Sequence, residues 1–140
     1  MDARGAIFGA VLLVSCGSSG PAGVPGLSVG GTYQTQVTLL PGNSCGSVTV
    51  QDAQTTVAQT PGSGSLSLTH AGNTYPGTVD HTGHFSTPAQ LVAGKFNISI
   101  AGQFSLTGFD ATVQVDQISP QCSYQVHWVG TKSGSPNTFP

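Results

Sequence analysis

The clearest pattern in the sequence is an alternation of apolar with small or polar side chains over residues 95–106, Lys-Phe-Asn-Ile-Ser-Ile-Ala-Gly-Gln-Phe-Ser-Leu. Every second position from residue 96 to residue 106 is apolar or glycine. A period of two is the spacing of side chains on one face of a β-strand. The stretch therefore predicts one long strand with a buried face and a face in water.

The residues that follow predict a partner for this strand. Thr107 and Gly108 are typical of a short turn, and residues 109–115 alternate again, beginning with Phe109. Two alternating runs joined by a short turn that contains glycine indicate a β-hairpin.

A third alternating run lies near the end of the sequence, over residues 122–128. Its alternation predicts that Gln125 and His127 face solvent. The side chains predicted to face the core are Cys122, Tyr124, Val126 and Trp128.

Weaker alternation marks the first half of the sequence. The strands predicted there are residues 33–40, 46–51, 55–59, 65–70, 74–79 and 84–86. Pro76 argues against a hydrogen-bonded central position in its strand, because proline has no N–H to donate. No connection is long enough for a crossover helix, so neighbouring strands should pair antiparallel. The predicted fold is all-β, an antiparallel meander of about seven to nine strands that forms a closed or nearly closed up-and-down barrel.

The composition agrees with this fold class and excludes others. Charged residues make up 6% of the sequence and glutamate is absent, whereas solvated helices depend on charged pairs such as Glu and Lys. The 20 glycines and 9 prolines suit turns. A net charge of -2 with almost no basic residues argues against nucleic acid binding, which needs a positive patch.

The N-terminus predicts an export signal. Arg4 precedes an apolar run over residues 6–14, which is too short for a permanent transmembrane helix. The run ends in Leu13-Val14-Ser15-Cys16, which resembles the lipobox of bacterial lipoproteins.

The resemblance implies that residues 1–15 are a lipoprotein signal peptide cleaved before Cys16. The Cys16 thiol would then carry diacylglycerol, and its new amine would be acylated, with palmitate as the expected acyl group. Several acyl chains anchor a protein stably to a membrane. Gly17 favours the outer membrane, if one is present. The alternative is an ordinary secretory leader that is cut elsewhere.

Residues 16–28 are rich in glycine, serine and proline and predict a lipidated cysteine followed by a flexible tether. Residues 29–140 are then expected to form a single barrel-like domain.

Two cysteines remain after lipidation of Cys16. Cys45 lies just beyond the first predicted strand, and Cys122 begins the last one. If those strands lie antiparallel and side by side, a disulfide between Cys45 and Cys122 closes the barrel and removes its edges. The alternative is a pair of buried free thiols.

The start of the first strand, Gly31-Thr32-Tyr33, resembles the Gly-x-Trp start of the lipocalins, with Tyr33 in place of tryptophan. The expected meander also resembles the avidins. The basic residue that usually packs over the lipocalin tryptophan has no evident counterpart. The resemblance covers residues 30–132 and implies a meander barrel and, as an alternative function, carriage of a small apolar ligand.

The best metal-like group of residues is His81 and His84 with Asp80, since histidines and a carboxylate can bind zinc. These residues lie in or beside a turn, and we interpret them as a solvated turn, with His70 too far along its strand to be a third ligand. The sequence contains no catalytic motif, and no cofactor or metal is expected. The domain carboxylates are predicted to lie in turns or on outward faces, at Asp52, Asp80, Asp110 and Asp116.

The aromatic residues leave two interpretations open. They could line a ligand cavity, or they could fill the barrel, since small barrels are just wide enough for side chains; a filled core is favoured. The possible ligand-lining residues are Tyr124, Trp128, Phe104 and Phe109. The sequence favours a membrane-anchored lipoprotein whose non-enzymatic domain is a binding or envelope-structural module. The alternatives are a carrier of a small apolar ligand and, less favoured, a hydrolase.

Overall fold

A computed structural model describes residues 23–140, which form eight β-strands and no helix. The strands are β1 Gly31–Leu39, β2 Ala53–Ala58, β3 Ser65–His70, β4 Asn73–Val79, β5 His84–Val92, β6 Phe96–Phe104, β7 Gly108–Gln117 and β8 Cys122–Lys132. The predicted lipobox and signal peptide lie outside these residues.

The strands form a closed antiparallel barrel. Each strand pairs with its neighbours in the sequence, and β1 pairs with β8, where Val37 is opposite Trp128. Short turns join all consecutive strands except β1 and β2 and allow only antiparallel pairing there. The pairing of the first and last strands closes the sheet. The predicted fold class is confirmed.

Most predicted strands are present, but one is wrong. Residues 46–51 form no strand and belong to the connection between β1 and β2. Gly46 has a φ of 78°, a conformation that a strand does not contain. The Asp52 carboxylate accepts a hydrogen bond of 2.9 Å from the Val37 N–H, so this backbone donor is satisfied without a strand beside it.

The alternation in β6 ends earlier than its sequence pattern predicts. β6 stops at Phe104, and Leu106, which continues the apolar series, is 59% exposed. Leu106 lies in the turn to β7, where the strand geometry that would point it inward has ended.

Pro76 interrupts the pairing of β4 with β5, as its sequence position suggests. These strands pair only at Thr78 with Ser86 and at Val79 with Phe85. Two residues before Thr78 and two residues after Ser86, the same register places Pro76 opposite Pro88. Neither proline has an N–H, so this pair cannot exchange backbone hydrogen bonds. The Gln90 side chain instead donates a bond of 2.8 Å to the Thr74 carbonyl.

The barrel interior is packed with inward-facing side chains. A cluster of four aromatic rings occupies one end of it, with ring centroids 4.6 Å apart between Phe85 and Phe104 and 5.2 Å apart between Tyr33 and Phe109. All four side chains are buried. The interior is thus a hydrophobic core filled by side chains, as expected for a small barrel.

The first and last segments of the described residues close the barrel beside this aromatic cluster. We call residues 23–30 and 133–140 the terminal cap. Val24 and Leu27 are buried, and Ser28 forms an isolated bridge with Thr138. Asn137 is 1% exposed; its side chain lies 3.0 Å from the Tyr33 hydroxyl and donates to the Ser105 carbonyl at 2.8 Å.

The terminal cap corrects the predicted tether. Val24 and Leu27 were expected to be flexible but are core residues, so the folded domain begins well before Val29. Residues 23–28 show no hydrophobic periodicity because they cross the barrel end once and do not form a strand with two different faces.

The opposite end of the barrel carries the connection between β1 and β2. We call it the disulfide end, because a bond joins Cys45 to Cys122 there, with Cα atoms 5.1 Å apart. The predicted pairing of these two cysteines is confirmed. The disulfide attaches the long connection to the start of β8 and reinforces the contact between the first and last strands.

Candidate functional site

A buried polar group lies inside the barrel between the aromatic cluster and the disulfide end. His70 is 8% exposed, and its imidazole stacks on the Trp128 indole, with centroids 4.0 Å apart and planes 24° apart. His70 Nδ1 lies 2.8 Å from Thr55 Oγ1, which is 2.7 Å from Thr35 Oγ1. Burial lowers the pKa of His70, so the neutral imidazole is favoured in the folded state.

Sequence reasoning missed the position of His70, although a signal was present. His70 has the same parity in β3 as Leu66 and Leu68, and all three are buried. His70 was considered only as a metal ligand and its side chain was given no direction, whereas its strand parity points it inward.

The possible ligand-lining residues separate into two environments. Phe104 and Phe109 belong to the aromatic cluster beside the terminal cap, and Trp128 is buried against His70. Tyr124 is only half-buried and lies at the disulfide end. The first three are packed core residues in this structure, and Tyr124 borders solvent.

Apolar side chains surround the disulfide end of the barrel. They are partly buried and pack against the core from the strand ends and the β1–β2 connection. We call this set the apolar rim; it consists of Val37, Leu39, Val50, Val92, Phe96, Ile98 and Tyr124.

Tyr33 has a basic neighbour that the sequence did not reveal. Lys132 is its register partner in β8. The Lys132 side chain lies against Gly31, where a Cβ atom would come within 2.8 Å of Lys132 Cε. The two residues are far apart in sequence and meet only because the barrel closes.

The turn before β5 contains the metal-like residues of the sequence. Asp80 Oδ1 accepts hydrogen bonds from the backbone N–H of Thr82 at 2.9 Å and of His84 at 3.0 Å. The hydrogen bond from the Thr82 hydroxyl, together with these backbone bonds, lowers the pKa of Asp80. His84 Nδ1 lies 3.2 Å from Gln103 Oε1, and His81 is exposed. The carboxylate organises the turn.

His127 faces outward on β8, as predicted, and contacts a carboxylate on β7. Its Nε2 lies 2.8 Å from Asp110 Oδ1, and the two side chains are 34% and 68% exposed. The remaining domain carboxylates, Asp52 and Asp116, are also exposed. In the part of the chain that the structure describes, no three His, Cys, Asp or Glu side chains come together as metal ligands would.

A polar depression opens on the outer wall where β1 and β2 separate. Pairing of these strands ends at Thr35 and Ala53, and the depression has a volume of about 400 Å³. We call it the amide groove. Its lining residues are Gln34, Thr35, Gln36, Asp52, Ala53, Gln54 and Thr131.

The groove has a defined architecture. Gln34 is opposite Gln54 on β2 and opposite Thr131 on β8, so three strands place exposed polar side chains together. Gln34 Nε2 and Gln54 Oε1 are 3.5 Å apart, at the limit of hydrogen bonding. The hydrogen bond from the Val37 N–H to Asp52 Oδ1 holds the carboxylate at the groove.

Comparison with known proteins found no protein-family model, no curated protein and no solved structure that matches the chain. Residues 23–140 include no helix that is both long and apolar enough to cross a bilayer. Fold and geometry define the chain as an all-β protein with an eight-stranded up-and-down barrel.

Proposed function

We propose that the protein is a lipid-anchored module of the bacterial cell envelope whose barrel acts in binding or in envelope structure without catalysis. The filled interior is the observation that supports a function other than ligand carriage. Trp128, Phe104 and Phe109 are buried there against other side chains. A packed, closed barrel is a rigid scaffold that offers its outer surface.

The N-terminal sequence supports the anchor. Residues 13–16 resemble a lipobox, and six residues lie between Cys16 and Gly23, where the described structure begins. The seven Cα–Cα steps from Cys16 to Gly23 span at most about 25 Å. Because Gly23 belongs to the terminal cap, acylation of Cys16 would attach the barrel to the membrane through its cap end, with the outer membrane favoured where one exists.

The disulfide supports an oxidising location. Disulfides persist in exported proteins and are rare in reducing compartments, and the Cys45–Cys122 pair joins distant parts of this chain. This agrees with an envelope protein that folds after export.

Fractionation of cells tests the anchor. We expect Cys16→Ser to abolish labelling by a radioactive fatty acid and to release the chain from the membrane fraction. Ser15→Ala is the matched control, because it keeps a small residue before the cysteine, and it should leave both labelling and fractionation unchanged. Continued lipid labelling of Cys16→Ser would contradict the proposal.

The apolar rim favours a second candidate, carriage of a small apolar ligand at the disulfide end. Phe96, Ile98 and Tyr124 are only partly buried there, and such side chains suit an apolar ligand. The chain contains one tryptophan, so Trp128 fluorescence reports on this half of the barrel. A carrier predicts a saturable change of that fluorescence on titration with oleate, and Phe96→Ser should weaken it; no change at any concentration contradicts carriage.

A further inference from the structure

We propose that the amide groove binds a neutral oligosaccharide. The oligosaccharide is a ligand class for the binding module of the proposed function. The inference rests on that function in one respect, that the outer wall of the barrel is accessible to ligands. The groove combines Gln34, Gln36 and Gln54 with the Asp52 carboxylate and the Thr131 hydroxyl in one concavity of about 400 Å³, within the size range of small-molecule sites.

The hydrogen-bonding capacity of these side chains fits sugar hydroxyls. Each glutamine amide offers two N–H donors and a carbonyl acceptor, and a hydroxyl both donates and accepts. Within the groove the only contact between amides is the 3.5 Å approach of Gln34 to Gln54, so most of their donors and acceptors are directed to solvent. A ligand rich in vicinal hydroxyls can satisfy both kinds of group at once.

The surroundings of the groove favour an uncharged ligand. The outward-facing residues of β1 to β4 include no ionisable side chain; they are Thr32, Gln34, Gln36, Thr38, Gln54, Thr56, Ala58, Ser65, Ser67, Thr69, Thr74, Pro76 and Thr78. Asp52, at the edge of this wall, is the one charged side chain that lines the groove. An anionic ligand would be repelled there, because none of the residues that line the groove carries a positive charge to offset the repulsion.

Other ligand classes fit the groove less well. An apolar ligand would bury glutamine amides without hydrogen-bond partners, which is unfavourable. A metal ion would find a single carboxylate, one of whose oxygens already accepts the Val37 N–H. The shape and chemistry together therefore select a neutral, hydroxyl-rich ligand.

The strand register explains why these side chains are available. β2 begins at Ala53, and beyond Thr35 the strand β1 continues with β8 alone. The wall thus opens at the groove, and Gln36 has no partner strand on its β2 side. A continuous sheet would present the same glutamines on a flat surface without a concavity.

Calorimetric titration of the full chain tests the proposal. The lipoprotein is purified in lauryl dimethylamine oxide, because maltoside and glucoside detergents carry sugar headgroups. The probes are maltohexaose, cellohexaose, chitohexaose and mannohexaose, which differ in linkage and hydroxyl stereochemistry. We expect at least one to bind saturably with a Kd of about 0.1–10 mM, a weak affinity typical of a few hydrogen bonds.

Substitutions locate the binding. Gln34→Ala and Gln54→Ala should each weaken it about tenfold, the equivalent of ~1.4 kcal/mol. Gln125→Ala is the matched control, because Gln125 is an exposed glutamine on β8 outside the groove, and it should bind as the unaltered chain does. Asp52→Asn keeps an acceptor for the Val37 N–H and should retain binding within a few-fold, whereas a cation site would be lost.

The result that overturns the proposal is binding of none of the four oligosaccharides, or equal binding by Gln34→Ala, Gln54→Ala and Gln125→Ala. If a groove variant fails to fold, perturbation of the Gln34 and Gln54 side-chain amide signals in NMR spectra of the unaltered chain decides the question. The anchor is tested separately: a chain that is acylated but binds no sugar overturns this proposal alone, and a chain that binds sugar without acylation overturns the anchor alone.

Discussion

The imidazole of His70 stacks on the indole of Trp128, with ring centroids 4.0 Å apart and planes inclined by 24°. The stack joins β3 to β8 across the barrel interior, between strands that are not neighbours in the sheet. His70 is also held by Thr55 at 2.8 Å. Neither of these partners carries a negative charge, so neither forms an ion pair with a protonated imidazole.

The first prediction is that His70 makes the barrel less stable in mild acid. Burial lowers the pKa of His70 in the folded protein below its usual value of 6.5. At a pH between the folded-state pKa and 6.5, His70 is therefore protonated in the unfolded chain but neutral in the folded one. The protein therefore has its full stability above about pH 6.5, where His70 is neutral in both states. It loses stability as the pH falls toward the folded-state pKa of His70. We expect the unfolding free energy to fall as the pH drops below about 6.5, by at most about 1.4 kcal/mol per pH unit.

Urea denaturation at several pH values checks this prediction. His70→Gln should remove most of the slope in that interval, because glutamine does not titrate. His81→Gln, at an exposed turn position, should keep it. An identical slope in the unaltered chain and in His70→Gln would assign the acid sensitivity to other groups.

The second prediction compares neighbouring residues on β8. Trp128→Ala should lower the unfolding free energy by about 3–5 kcal/mol, because it leaves a large cavity beside His70. His127→Ala should cost less than about 1 kcal/mol, since its contact with Asp110 lies in solvent. Urea denaturation followed by circular dichroism measures both. A small loss for Trp128→Ala would indicate that the indole borders open space.

The third prediction concerns the disulfide. The bond spans 77 residues, and restriction of the unfolded chain by a loop of that size stabilises a protein by roughly 4 kcal/mol. Replacing both cysteines, Cys45→Ser with Cys122→Ser, should lower the stability by about that amount and leave the barrel folded in the absence of denaturant. Mass analysis under non-reducing conditions should find the two cysteine peptides joined. Two thiols open to alkylation in the folded chain would contradict the pairing.

Much of the barrel follows from local alternation. β3 was predicted with the bounds it has, residues 65–70, because its two faces differ clearly in polarity. The Cys45–Cys122 bond followed from two positions near strand ends. Both features depend on short-range pattern together with the requirement that a meander close.

Other features depend on contacts between distant residues and leave little local pattern. Val24 and Leu27 lie in a stretch rich in glycine and proline, and they are buried only because the first and last segments of the described residues meet over the barrel. The apolar residues Val48 and Val50 alternate, yet the Cys45 bond and the Asp52 contact with Val37 hold that segment outside the sheet. The amide groove exists only where three strands meet.

The fourth prediction is that the seam between β4 and β5 opens before the rest of the barrel. Pro76 and Pro88 stand where the next backbone hydrogen bonds would form, and the Gln90 side chain supplies one bond to the Thr74 carbonyl. Gln90→Ala should therefore lower the stability by only about 0.5–1.5 kcal/mol, the net value of one hydrogen bond. It should also speed amide hydrogen exchange at Thr78 and Ser86 more than elsewhere.

Hydrogen exchange followed by NMR distinguishes local opening from general destabilisation. The control is Gln114→Ala, which removes side-chain bonds to Asp116 and Gln125 at the continuous β7–β8 pairing and should leave exchange at Thr78 and Ser86 unchanged. Amides of β7 and β8 should exchange only through global unfolding in both variants, because their ladder is unbroken over ten residue pairs. If Gln90→Ala instead accelerated exchange equally in all strands, the barrel would open as one unit, and the paired prolines would not define its weakest seam.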